Sequence, residues 1–365
     1  MLTKIIHAKA DNAQYDIVIG RPLAQFPAEF ARLAPKGTRV AIIADGNVVK
    51  RYGHPLERAL KHAGYEVHLL IVPPGEKSKT VRQTERIHRF CARAFLERKS
   101  WLIALGGGVV GDIAGFAAAT YLRGIPFIQI PTTLLAQVDS SIGGKTGVDI
   151  PEGKNLVGAF HQPRLVWIDP TTLRTLPKAH LRNGMAEVIK YGAILDAKLF
   201  ATLEHSAEDL LKGYSPAWTP IIARCVQLKA GVVEEDTFET KGRRALLNFG
   251  HSLGHAIEAA TGYTRYLHGE AIAIGMFAAA IIGQQQDQTD QLDRIRLGTL
   301  LSKAGLPIRA RAAIPRAELM TYLARDKKAA DGSTRFVLLE KIGRAVSGQS
   351  VSPEVLEVTL TTVGL

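Results

Sequence analysis

Short β-rich runs of almost unbroken apolar character recur through the first half of the chain. They are "YDIVIG" at 15–20, "RVAIIAD" at 39–45, "YEVHLLIV" at 65–72, "WLIALGG" at 101–107, "PFIQIP" at 126–131 and "RLVWIDP" at 164–170. A strand with one wet face alternates apolar and polar residues, whereas a strand covered on both faces has no need to. Helix-length stretches separate several of the runs, as at 52–63 and 81–97. This alternation predicts an α/β fold: a Rossmann-like parallel sheet with helices on both sides.

The signal changes after about residue 176. Stretches at 178–192, 197–212, 220–233, 246–260, 269–285, 291–304 and 316–325 read as helices, and only "STRFVLLE" at 333–340 reads as a strand or hairpin. The segment "TTLRTLP" at 171–177 is the expected boundary. It separates an α/β nucleotide domain (1–176) from a mostly α-helical metal and substrate domain (177–365), with a ligand site expected between them.

Charge narrows the partners. The formal net charge is +12 over 365 residues, but the basic runs are short and lack interleaved aromatics. That suits a solvated basic surface and a phosphorylated small substrate better than nucleic acid. The apolar run at 271–283 is too short to span a bilayer, and the first residues lack a secretory pattern. Cys91 and Cys225 are the only cysteines. They form no Cys-x-x-Cys pair and suit a reducing cytoplasm.

Three segments carry chemistry. In "LGGGVVGDIAGFAAA" (105–119), Gly106, Gly108 and Gly111 have the G-x-G-x-x-G spacing between a strand and a helix. Such a turn lets backbone N–H groups approach a pyrophosphate. Asp45 and Asn47 end another strand, where ligands of open parallel sheets bind, and Glu76, Lys77, Ser78 and Lys79 follow the next. The long stretch 123–163 is dense in glycine and polar residues and reads as a functional loop. It holds Arg123, Thr132, Thr133, Asp139, Lys145, Lys154 and Asn155, and its cations suit phosphate or carboxylate.

The third segment, "NFGHSLGH" (248–255), sets His251 and His255 four residues apart, on one face of a helix. That spacing alone lets both rings share a metal, and equally suits two packed or surface histidines. Glu187 and Lys190, one turn apart, and His268 supply further candidates, with Lys229, Arg244 and Asn248 upstream. "HSLGH" lacks the glutamate of H-E-x-x-H, which argues against a zinc protease.

In order along the chain, "GGGVVGD", "RGIPFIQIPTTLLAQVDSSIGGKTGV", "GKNLVGAFHQP", "EVIKYG", "LLNFGHSLGHAIE" and "HGEAIAIGM" resemble the 3-dehydroquinate synthase family over nearly the entire length. The resemblance implies one NAD, one zinc ion that cobalt can replace, and a homodimer. It assigns the metal to Glu187, His251 and His268, which leaves His255 to the substrate and proton transfer. Asp139, Lys145, Lys154, Asn155, Lys190, Lys229, Arg244 and Asn248 match substrate-contacting positions. Arg123 matches an arginine reaching the neighbouring subunit's phosphate site, and "RDKK" supplies a phosphate-binding lysine, Lys327 or Lys328. Asp45, Asn47, Glu76, Lys79, Gly107, Gly108, Val109, Asp112, Thr132 and Thr133 match cofactor contacts, joined by Lys145, Lys154, Thr172 and Thr175. Two departures stand out: Asp149 replaces a common asparagine, and 234–244 is one residue longer than the usual version.

The implied substrate is 3-deoxy-D-arabino-heptulosonate 7-phosphate and the implied product 3-dehydroquinate. The expected course is oxidation at C5, loss of phosphate, reduction, ring opening and aldol closure. Two neighbouring readings are a cyclase acting on sedoheptulose 7-phosphate, which Lys229, Asn155 and Asn248 argue against, and a metal-dependent polyol dehydrogenase.

Overall fold

The computed structural model describes residues 3–11, 13–311, 313–326 and 335–365, with the side chains of 325 and 326 also left aside. Lys327 and Lys328 lie outside the described residues. By its internal contacts the chain forms two compact units, Met1–Leu176 with Pro216–Glu234, and Pro177–Ser215 with Glu235–Leu365. The first break falls at the end of the expected boundary segment. The segment Pro216–Glu234, in the half read as the second domain, groups with the first unit.

The first unit is built on a seven-stranded sheet. Its strands are β1 (Lys4–Ala10), β2 (Ala13–Ile19), β3 (Arg39–Asp45), β4 (Glu66–Val72), β5 (Trp101–Gly106), β6 (Phe127–Pro131) and β9 (Leu165–Ile168); β7 (Lys145–Ile150) and β8 (Gly153–Phe160) form a separate hairpin. The order is β1-β2-β9-β6-β5-β3-β4, and every pairing except β1 with β2 is parallel.

The continuous apolar runs have the predicted cause. Val40, Ile42 and Ala44 of β3, with Trp101, Ile103 and Leu105 of β5, pack into a core holding Phe26, Phe30 and Trp167. The alternate residues Ala41, Ile43, Leu102 and Ala104 enter the core on the other face, against Ile87, Ile113 and Ala117. These last belong to the helices Val81–Arg93 and Gly108–Thr120.

The stretch 123–163, expected to be a loop, is a loop only in part. β6 runs through its start, and β7 and β8 pair as an antiparallel ribbon. β8 is half exposed along its length and rich in glycine and polar residues, so neither apolar periodicity nor β-propensity marks it.

In the second unit the apolar run at 271–283 lies inside the helix His268–Gln285, buried at every position from Ala271 to Gly283. Helices Lys178–Leu195, His251–Ala260, Gln291–Lys303 and Pro353–Thr362 pack around it, which explains why it has no polar face. The single helix expected over 246–260 is two pieces, a 3-10 turn Arg244–Asn248 and the helix His251–Ala260. Gly250 between them has a left-handed φ of 78°. The strand expected near 333–340 is β10 (Arg335–Lys341), paired with β11 (Arg344–Ser350). Among the described residues no helix is long and apolar enough to cross a membrane.

Candidate functional site

Each unit gathers its own share of the expected site residues. In the first unit the sheet order places a reversal of winding between β3 and β5, since β3 leads outward to β4 and β5 leads the other way to β6. Ligands of open parallel sheets bind at the carboxyl ends of strands at such a point. Asp45 ends β3, and its Oδ1 accepts from the Asn47 N–H at 2.7 Å. Gly106 ends β5, and Gly107 begins the helix Gly108–Thr120 without a side-chain cap, which leaves its first N–H groups available. Thr132 follows β6 and donates its N–H to the Gly106 carbonyl at 2.8 Å. Its hydroxyl is buried and has no hydrogen-bond partner among the described residues. Glu76 and Lys79 follow β4.

Lys79 is 5% exposed and meets Asp112 Oδ2 at 2.6 Å. Burial works against its ammonium, but the Asp112 and Glu76 carboxylates outweigh that and hold its pKa above the ordinary lysine value. Lys154 reaches Glu76 Oε1 at 3.2 Å. Asn155 sits at φ +56° with its N–H donated to Asp149 at 2.9 Å. Val109 follows the glycine turn in sequence, whereas Thr133 approaches it in space: a Cβ on Gly107 would lie 3.2 Å from Thr133 Cγ2, and the Thr133 hydroxyl accepts from Ala136 N–H at 3.2 Å. Thr172 is engaged on both sides: its hydroxyl donates to the Asp169 carbonyl at 2.8 Å and accepts from Gln137 Nε2 at 2.9 Å. The Thr175 hydroxyl pairs with Tyr52 at 3.1 Å.

Lys229, 7% exposed, donates to both the carboxylate and the carbonyl of Asp139, each at 2.8 Å. This contact joins the helix Trp218–Glu235 to the first unit's own turn Ala136–Ser140. Lys145 opens β7. Arg123 is different. It is exposed and precedes β6, so it lies at the amino edge of the sheet, away from the carboxyl-end cluster.

In the second unit three helices deliver Glu187, His251 and His268. Two glycines permit this. A Cβ on Gly275 would lie 1.9 Å from the Gly250 carbonyl oxygen, and one on Gly269 would lie 2.1 Å from the Asn183 carbonyl oxygen. The helix His268–Gln285 therefore lies backbone to backbone against both neighbours. The Glu270 carboxylate caps its first turn by accepting from Leu267 N–H at 3.0 Å, and Asn183 Oδ1 accepts from Gly269 N–H.

Glu187 is fully buried. Its Oε1 lies 3.3 Å from His251 Nε2 and 3.5 Å from His268 Nε2, and its Oε2 lies 2.5 Å from Lys190 Nζ. Neither oxygen makes a well-directed hydrogen bond among the described residues. Burial opposes its ionisation, but the Lys190 ammonium and the two imidazoles hold its pKa well below the usual carboxylate range. Burial and the Lys190 charge lower His251. His268 is also penalised by burial, but lies between the Glu258 and Glu187 carboxylates, which raise it to about 10.

The donor atoms of Glu187, His251 and His268 lie within 4.8 Å of one another. One carboxylate and two imidazoles, with an acceptor pair that lacks directed partners, fit a divalent cation of the zinc type. His255 stacks edge-on against His251, centroids 5.3 Å apart. With Glu258 and His268 it forms a second group whose donor atoms lie within 4.8 Å of one another.

Arg244 and Asn248 stand beside the loop that follows the helix Trp218–Glu235. Asp236 accepts from the N–H groups of Thr240, Lys241 and Arg244 at 2.8, 3.1 and 3.0 Å. The Arg244 guanidinium donates to the Thr237 carbonyl, and Asn248 Nδ2 to Glu239 at 2.8 Å. Asp236, Glu239 and Glu258 were not expected from the sequence. The one legible signal was for Glu258, seven residues after His251 and so on the same helix face.

The family description "3-dehydroquinate synthase N-terminal" matches residues 69–183, and "3-dehydroquinate synthase C-terminal" matches residues 184–329. A 3-dehydroquinate synthase of Symbiobacterium thermophilum is 46% identical over 346 residues, covering 94% of this chain and 96% of its own. Among solved structures, 2-epi-5-epi-valiolone synthase from Streptomyces hygroscopicus subsp. jinggangensis, with NAD+ and Zn2+ bound, superposes with a TM-score of 0.89. It is 32% identical and covers 96% of this chain and 97% of that one. A 2-deoxy-scyllo-inosose synthase complexed with carbaglucose-6-phosphate, NAD+ and Co2+ gives a TM-score of 0.86 at 27% identity, covering 98% of this chain and 100% of that one.

Proposed function

The chain belongs to the 3-dehydroquinate synthase family, and on that footing we propose that it converts 3-deoxy-D-arabino-heptulosonate 7-phosphate to 3-dehydroquinate and phosphate. The observation that carries this reading is the cluster of the buried Glu187 with the half-buried His251 and His268, with Lys190 on the same carboxylate, in a chain whose sheet bears a glycine turn at its winding reversal.

NAD, when bound, supplies a hydride acceptor that is restored within each turnover, and a zinc or cobalt ion supplies Lewis acidity toward the substrate hydroxyls. Glu187, His251 and His268 would hold the metal. NAD would be held by Asp45, as an acceptor for ribose hydroxyls, by the N–H groups from Gly107 to Val109, as donors to the pyrophosphate, and by the Thr132 hydroxyl and Lys79. Asp112 keeps Lys79 charged and in place, and Glu76 holds the Lys154 ammonium by their 3.2 Å contact. Thr172 and Thr175 act through the wall of this pocket.

On the substrate, oxidation at C5 acidifies the C6 proton, which permits loss of phosphate. Reduction at C5, ring opening and intramolecular aldol closure then follow. The departing phosphate serves as the base. Lys145, Lys154, Asn155 and the Lys327/Lys328 pair hold that phosphate. Arg123 serves the partner subunit's phosphate in a homodimer, which accounts for its place at the far edge of its own sheet. Lys190, Lys229, Arg244 and Asn248 address the carboxylate and hydroxyls, Asp139 orients Lys229, and His255 moves protons. The two buried free thiols suit a cytoplasmic enzyme.

A phosphate-release assay with and without a chelator tests the reading. The expected result is phosphate formed with substoichiometric NAD, no net NADH, and loss of activity on chelation. Phosphate release from sedoheptulose 7-phosphate alone, or NADH accumulating in proportion to product, would overturn it.

A further inference from the structure

Both imidazoles of the metal cluster turn the same nitrogen, Nε2, toward Glu187. What holds each ring in that attitude differs. His251 Nδ1 donates to the Phe249 carbonyl at 3.1 Å, a backbone acceptor. His268 opens its helix and its side chain is 26% exposed, so its own backbone constrains the ring little. Its Nδ1 meets Glu258 Oε2 at 3.1 Å.

Glu258 lies near the end of the helix that His251 begins and is 3% exposed. Burying a carboxylate is costly unless it is well partnered, and no step of the proposed reaction uses this one. We propose that Glu258 is the positioning residue for His268. By accepting the Nδ1–H it reserves Nε2, the nitrogen turned toward Glu187, for a metal, locks the ring plane, and strengthens the imidazole as a donor. It also ties together the metal-bearing parts of two helices.

The second donor group, His255, Glu258 and His268, is the competing explanation. A cation there would need His268 Nδ1, the nitrogen already bonded to Glu258. One ring cannot keep that hydrogen bond and ligate through the same atom.

The proposal rests on the reading of Glu187, His251 and His268 as the metal site. Its test therefore titrates the metal-free full chain with Co2+, following the visible absorption bands for both affinity and ligand field. Wild type, Glu258→Gln, Glu258→Ala and His251→Ala are compared. The expected result is one Co2+ per wild-type chain and a loss of affinity of about 10- to 100-fold in Glu258→Ala. Glu258→Gln, which keeps an acceptor for Nδ1–H but not the charge, should lose less and show shifted bands, with the metal-free melting temperature near wild type. Wild-type affinity and spectrum in both Glu258 variants would overturn the proposal. So would a second Co2+ in wild type that Glu258→Gln loses, because Glu258 would then be a ligand. Should Glu258→Ala fail to fold, Glu258→Gln decides. Undiminished Co2+ binding by His251→Ala would instead overturn the metal-site reading itself.

Discussion

Replacing Gly275 with alanine tests whether the proposed metal cluster of Glu187, His251 and His268 depends on the close approach of two helices. The new Cβ would lie 1.9 Å from the Gly250 carbonyl oxygen and 2.9 Å from its carbon. Close carbon–oxygen contacts begin at about 3.3 Å, so the helices must part by roughly 1.4 Å at this point. The obstruction is backbone, and no rotamer change relieves it. Overpacking of this kind costs about 1–3 kcal/mol, or roughly 2–4 °C in Tm for each kcal/mol. The damage reaches the site, because His251 directly follows Gly250 and His268 begins the helix that carries Gly275. Misplacing a reactive group by about 1 Å can cost on the order of 100-fold in rate. The assay pairs Tm of the metal-free chain with Co2+ affinity and turnover. Gly231→Ala is the control: it lies in the helix Trp218–Glu235, and a Cβ there meets nothing within 4 Å among the described residues. That change should be neutral or stabilise by up to about 1 kcal/mol through helix propensity. Wild-type Tm and Co2+ affinity in Gly275→Ala would refute the reasoning.

His251→Ala is expected to lose metal, whereas His255→Ala keeps metal and loses about 100- to 10,000-fold in turnover, as for removal of a general acid–base; equal metal loss in both would refute the division. Asp112→Asn removes the charge that Lys79 meets at 2.6 Å and should lower stability by about 3 kcal/mol in urea unfolding, a change below about 0.5 kcal/mol counting against a buried pair. Burial pushes the Cys91 thiol up to about 12, so at pH 8 roughly one thiol in 10,000 is ionised and native protein should resist thiol reagents that label it on unfolding. The same shift sets a sign: above about pH 9 the unfolded thiol loses a proton that the folded one keeps, so this group's contribution to stability falls as pH rises toward 12. A Cys91→Ala variant should show a flatter decline over that window in urea-unfolding midpoints.

The parallel sheet was legible in residues 39–45 and 101–107 because covering a strand on both faces leaves a direct mark, an unbroken apolar run. The buried helix at 271–283 was legible for the same reason. The ribbon of β7 and β8 was not. It is a two-stranded element with little to bury, and its glycines and polar residues read as loop. The break at Gly250 was hidden too, because a left-handed glycine leaves the apolar period on either side intact.

The candidate site residues divide along the same line. Local spacing put His251 and His255 on one helix face and Glu187 one turn from Lys190, since such relations follow from 3.6 residues per turn. Spacing left open which ring faces a metal. That depends on where His268 and Glu187 arrive from distant segments, and their arrival depends on Gly269 and Gly275 letting backbones touch. Likewise, the carboxyl-end cluster around Asp45, Gly107 and Thr132 became a single place only once strand order put the winding reversal between β3 and β5. The sequence sets what each segment can become, because that is decided by neighbours along the chain. Tertiary packing decides which side chains meet, because that is a question of steric approach between segments far apart in it.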